Sequence, residues 1–239
     1  MTIPRIMTLA AAGMILFTLP SAFAQSKAAI PRMPDGKPDL QGVWQHPYVP
    51  DMSKDRPDQK SSGELPFNDA GAKNFKTYDV GKFDYTGHCL PFGLLRSVNV
   101  GGYPIQIMQN KKYIALLFEQ NTWFHVVYMD GRPHPKDLDP TWFGHSIGKW
   151  DGDALVVDTV GFNDKTWLDR DGHPHSDQLH VVERFHRVDR DDMTIDINIE
   201  DPKALVKPWK TQLNFQLKPD WDIMELVCTD NGAFEDFEK

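Results

Sequence analysis

The chain has 239 residues, with 26 Lys and Arg against 34 Asp and Glu and a net charge of −8. An acidic surface whose basic residues form no stripe repels phosphate backbones, which excludes nucleic acid as a natural partner. Beyond residue 19 no segment is apolar enough to cross a membrane.

In chain order, Arg5 precedes an apolar run at 8–19, then Pro20 and the small residues Ala22 and Ala24. That pattern predicts a signal peptide over 1–24, a mature start at Gln25 and a periplasmic or secreted protein. The run is short for a bilayer span, so an uncleaved anchor is the weaker alternative. Residues 25–83 are punctuated by Pro31, Pro34, Pro38, Pro47, Pro50, Pro57 and Pro66 and read as an irregular N-terminal wrap with one short strand at 40–44.

From residue 84 to 239 the pattern is that of one antiparallel β domain. Runs at 105–108, 113–119 and 123–129 are rich in β-branched and aromatic residues and are separated by polar pairs. Asp151-Gly152-Asp153 between two apolar runs is a hairpin signal. Met193, Ile195, Ile197 and Ile199 alternate with polar residues, as do Leu213, Phe215 and Leu217, giving one buried and one wet face. Short connections argue against parallel pairing. The fold expected is an antiparallel up-and-down barrel or a strongly curved sheet, lipocalin-like in layout. In an oxidising compartment Cys89 and Cys228 read as one disulfide, the alternative being two unrelated thiols.

Several blocks resemble a family of exported bacterial β proteins. They are residues 38–44 (PDLQGVW), 130–135 (DGRPHP), 142–159 (WFGHSIGKWDGDALVVDT), Trp167-Leu168-Asp169, Pro174-His175-Ser176, Glu183-Arg184-Phe185 and Asp201-Pro202. The resemblance covers most of the mature chain and implies export and β architecture. It implies no particular activity, because none is attached to that family, and the likeness to lipocalin-like barrels is one of layout alone.

The densest polar cluster runs from Trp142 to Arg184. His145, beside Gly144 at a strand entry, has the residue type of a neutral-pH acid or base, or of a loop-bonding histidine. Asp158 ends a strand and is placed to orient His145, to pair with Glu183, or to form a turn. Glu183 shares a face with Val181 and Phe185, so it points inward, as a raised-pKa acid or as half of an ion pair. These three are the expected catalytic residues. Arg96, Glu119, Trp142, Trp167 and Arg184 are the expected substrate contacts. No metal is expected; a weaker alternative is a metal held by His173, His175 and His180, whose middle residue follows Pro174. Ser146 lies between Gly144 and Gly148 but precedes a hairpin where a nucleophile elbow needs a helix. Dinucleotide fingerprints and phosphate loops are absent, so no cofactor is expected.

The reading is an exported, cofactor-independent enzyme of lyase, decarboxylase, isomerase or hydratase type. It would act on a small, partly aromatic or apolar molecule in a barrel pocket. The rivals are a non-catalytic periplasmic binding protein for an apolar ligand and a metal-dependent enzyme built on the 173–180 segment. The sequence leaves the oligomeric state open.

Overall fold

A computed structural model describes residues 29–79, 82, 84–99 and 102–228. The expected signal peptide and the first residues of the wrap lie outside them. Ten strands are present among the described residues: β1 (Gly42–Gln45), β2 (Gln59–Ser61), β3 (Ile105–Gln109), β4 (Tyr113–Phe118), β5 (Phe124–Tyr128), β6 (His145–Asp151), β7 (Ala154–Val160), β8 (His180–Arg187), β9 (Asp192–Glu200) and β10 (Trp209–Leu217). β1 and then β3 to β10 pair in succession. Trp44↔Leu217 and Gln45↔Gln216 join β10 back to β1, closing a nine-stranded barrel. β2 covers part of the remaining edge of β10 through Thr211↔Ser61 and Leu213↔Gln59. Closure removes the sheet edges that would otherwise template aggregation.

The barrel expected from the strand pattern is therefore present, with one difference in pairing. β5 and β6 run parallel, with Val127↔Ser146 and Tyr128↔Ile147 in register. Parallel neighbours cannot be joined by a tight turn. Residues 129–144 make the return outside the barrel without a helix, through Pro133, Pro135 and Pro140. A second difference lies in the N-terminal segment. β1, which closes the barrel, comes from it, and so does a short helix, α1 (Asp69–Thr77). Asn68 caps α1 by accepting the Gly71 N–H, with Asp69 in the first turn and Lys76 in the last.

Alternation decides what fills the lumen. Three successive rows point inward across β6 to β10: Ser146, Thr159, Val181, Ile199, Trp209; then Gly148, Val157, Glu183, Ile197, Thr211; then Trp150, Leu155, Phe185, Ile195, Leu213. Most of these side chains are buried, and each buried Ile, Leu or Phe contributes about 1.5–3 kcal/mol of transfer free energy. A second helix, α2 (Leu94–Asn99), places Leu94 and Leu95 against Phe162, Leu168 and Leu179, where β7 stops and β8 starts. Cys89 and Cys228 are disulfide-bonded with Cα atoms 5.6 Å apart, as expected. The bond closes a loop with a sequence separation of 139, for which chain entropy gives up to about 5 kcal/mol.

Candidate active site on the outer face

The same alternation separates the three expected catalytic residues. On β7, Leu155, Val157 and Thr159 are buried in the lumen, so Asp158 points out, with 41% of its side chain exposed. His145 opens β6 on the outer face, and its neighbour Ser146 points in. Glu183 points into the lumen and is 2% exposed. The sheet itself stands between Glu183 and the other two, so the expected pairing of Asp158 with Glu183 does not form.

His134, from the 129–144 crossover, joins His145 to Asp158. His134 Nε2 lies 3.2 Å from Asp158 Oδ1, and His134 Nδ1 lies 2.8 Å from His145 Nδ1. His180 Nε2 approaches the same Asp158 oxygen at 3.0 Å, and its Nδ1 is 3.8 Å from Glu200 Oε2. A carboxylate only accepts, so His134 Nε2 carries the proton shared with Asp158. With its one proton on Nε2, His134 presents Nδ1 as an acceptor, so His145 donates through its own Nδ1. That tautomer leaves the lone pair of His145 on Nε2. Burial, then the neighbouring His134 and Arg132, lower the His145 pKa from its ordinary value, so the ring is a free base at neutral pH.

Local structure holds these groups in place. Gly144 has φ +70°, and a Cβ there would meet Thr159 Cγ2 and Val160 O at 2.8 Å, so the chain enters β6 tight against β7. The two-residue turn at Gly152-Asp153 sets the β6–β7 register that puts His145 beside Val160 and Ile147 beside Asp158. Tyr128 stacks on His145 at 5.3 Å and 21°, and the Arg132 guanidinium covers Tyr128 at 4.2 Å. Sequence reasoning missed His134 and Tyr128. The signal available for His134 was its place in the 130–135 block.

The lumen holds a different set of polar groups. His125 Nε2 lies 2.7 Å from Ser146 Oγ, which lies 2.5 Å from Thr159 Oγ1. Ser146 thus has a nucleophile's partner but is fully buried, and no described cleft is lined by it. Burial, with a smaller contribution from the neighbouring His145, takes the His125 pKa down to about 4, so this ring stays neutral. Burial alone pushes Glu183 up to about 7, and its Oε1 has no hydrogen-bond partner. The inward rows of the barrel's described strands are occupied by buried side chains. The larger clefts described open on its outside.

The expected substrate contacts divide as well. Arg96 is buried, pairs with Asp84 at 2.9 Å and lies over the rings of Tyr85 and Phe92. Trp142 stands 6.2 Å from Tyr85, and the Trp167 backbone N–H donates to Tyr85 Oη, so Arg96, Trp142 and Trp167 gather around one tyrosine. Glu119 instead accepts the Met224 N–H, and Arg184 pairs with Asp151 at 2.8 Å on the outer face.

The three histidines of the metal alternative are not brought together. His173 is bound to Asp169 at 2.5 Å, His175 to Thr166 at 2.6 Å, and His180 to Asp158. Among the described residues the group close enough to share an ion is Asp51, Asp169 and His173. Asp169 already accepts the Met52 N–H, and Asp51 accepts the Ser53 N–H, so these carboxylates serve the loops they sit in. Burial would lower the His173 pKa, but the adjoining Asp169 raises it, as in a buried ion pair.

No protein-family model, no curated protein and no solved structure matches the chain. The reading of the site therefore rests on its geometry.

Proposed function

We propose that this chain is an exported enzyme that moves protons on a small molecule at the outer face of β6 to β8, with His145 as the general base. The observation that carries the reading is the unbroken chain from Asp158 through His134 to His145, which fixes the tautomer leaving His145 Nε2 unprotonated. A substrate C–H or O–H bond breaks, and its proton passes to Nε2. The positive charge that develops on His145 is met by the Nδ1 lone pair of His134, whose Nε2–H is held by Asp158. The proton then returns to another atom of the substrate or to a leaving group, which makes the reaction an isomerisation or an elimination. His134 and Asp158 are positioning residues that do not touch substrate. Export is supported by the disulfide and by the residue pattern of the first 24 positions.

The test begins with a screen of small hydroxylated and aromatic acids for both heat of binding and product formation. With a substrate in hand, His145→Gln is expected to slow turnover about 100-fold. His134→Gln is expected to lower kcat with KM little changed and to move the acidic limb of the pH profile to higher pH. Heat of binding without product for every ligand indicates a carrier and contradicts the enzyme reading.

A further inference from the structure

The outer face of β3 to β5 differs in character from the rest of the barrel's exterior. Ile107, Ile114, Leu116 and Val127 are buried in the lumen, so the residues beside them point out. Across the registers Leu117 stands beside Phe124, and Met108, Ala115 and Val126 form the next row. Tyr113 and Tyr128 form the third, edge to face at 5.8 Å. On the far side of the barrel the outward positions are polar: Thr194, Asp196 and Asn198 on β9, and Lys210, Gln212 and Asn214 on β10. Met108 and Phe124 keep 53% and 65% of their surface open to water, and Tyr113 keeps 39%. Large apolar side chains gathered on one face mark a surface that meets a partner, because burying them recovers about 25 cal/mol per Å².

The charges at the two ends of this face are opposite. At one end the turn between β3 and β4 carries Lys111 and Lys112, both exposed. At the other, the strap 218–228 that follows β10 passes the end of β4. There the Met224 N–H donates to Glu119 Oε2 at 2.9 Å, and the disulfide ties Cys228 to Cys89. The strap presents Asp222 and Glu225 to solvent, with Trp221 and Met224 exposed beside them. Among the described residues none of these four charged side chains has an ion-pair partner. β4 is six residues long, so the two ends lie about 20 Å apart.

We infer that this face is the interface of a two-fold dimer whose partner is a second copy of the chain. A two-fold axis lying between two such faces, at right angles to β4 and through its middle, reverses the strand direction of one copy against the other. The apolar rows then cover each other. Lys111 and Lys112 of one copy meet Asp222 and Glu225 of the partner subunit, and the contact repeats at the other end. The surface is thus complementary to itself. A membrane suits it less, since one sign of lipid charge would attract one end and repel the other. The chain's net charge of −8 also opposes an anionic leaflet. The inference concerns association alone and does not rest on turnover at His145.

The test is sedimentation velocity of the full disulfide-bonded chain over a wide range of concentration. A dimer that dissociates on dilution is expected. Phe124→Glu should raise its dissociation constant about 30-fold or more. The melting temperature should not change, because residue 124 is exposed in the single chain, and Met108→Glu provides a second variant of the same kind. Reversing one end, by Lys111→Glu with Lys112→Glu or by Asp222→Lys with Glu225→Lys, should raise the constant about tenfold or more. An equimolar mixture of the two reversed proteins should associate again, because opposite charges then meet at both ends. A chain that stays monomeric throughout would overturn the inference. So would a dimer indifferent to Phe124→Glu and Met108→Glu, a dimer that neither reversal weakens, or reversed proteins that do not recover on mixing. Co-sedimentation of a monomeric chain with phosphatidylglycerol vesicles would overturn the choice of partner.

Discussion

The outer face and the lumen of β5 to β8 both carry ionisable groups on the same run of strands, yet the two sets are in opposite chemical states. Outside, Asp158 touches two imidazoles and remains open to water. Inside, Glu183 touches no partner through Oε1, and His125 answers only to hydroxyls. Strand alternation makes the division, since a single step along the backbone exchanges solvent for core. A motif dense in His, Asp, Ser and Glu is therefore not one site. Half of 142–159 builds a packed interior, and half presents a proton-handling surface.

Variants of the two faces should separate cleanly. The largest effect is expected in the lumen. Phe185→Ala removes a buried ring from the row shared with Leu155 and Ile195 and should destabilise the fold by about 3–5 kcal/mol. Protein that remains folded should keep its affinity and rate. A melting temperature within a degree or two of the parent would mean that the lumen is less tightly packed than described.

Glu183→Gln should act in the opposite direction and depend on pH. The carboxyl titrates at about 7 in the fold against an ordinary 4.5, so the folded chain holds the proton more tightly than the unfolded one. Stability from this group is complete below the unfolded value and is lost as pH rises through the folded one. Gln carries no charge to bury. The variant should match the parent near pH 4 and gain up to about 3 kcal/mol above pH 8 by urea unfolding. Equal stability of the two proteins at both pH values would show that Glu183 has found a partner.

Outer-face changes should be smaller in stability and visible in rate. His145→Gln, slowing turnover about 100-fold, removes about 2.7 kcal/mol of transition-state stabilisation. Its unfolding midpoint should move by less than about 0.5 kcal/mol, the usual range for a surface change. His180→Gln is the smallest of the series. His180 shares Asp158 but stands outside the path to His145, so a loss of about threefold or less is expected. A loss equal to that of His145→Gln would move the base from His145 to His180.

Much of this division was legible in the sequence. Alternation in 193–199 and the Asp-Gly turn gave β9 and the β6–β7 hairpin. The apolar company of Val181 and Phe185 placed Glu183 inside. The parallel seam was not legible, because pairing of β5 with β6 depends on where 129–144 travels, and that path is set by tertiary contacts such as His134 on His145. His134 was hidden for the same reason. In a stretch rich in proline no periodicity assigns a face, so only the fold reveals which ring meets Asp158. Closure of the barrel was equally invisible, since it depends on β1, a strand of four residues at the far end of the chain.

His134 bridges His145 and Asp158, and in the proposed function the two imidazoles form one proton-sharing unit anchored on that carboxylate. Ring-nitrogen NMR titration of the histidines tests it without a substrate. In the parent protein His145 should titrate below its ordinary 6.5, because burial, His134 and Arg132 all disfavour its charged form. His134→Gln removes the neighbouring imidazole and should raise the His145 midpoint towards 6.5, with the change confined to the outer-face rings and none at His125. A His145 midpoint unchanged by His134→Gln would contradict the shared proton, and with it the assignment of the outer face as the catalytic surface.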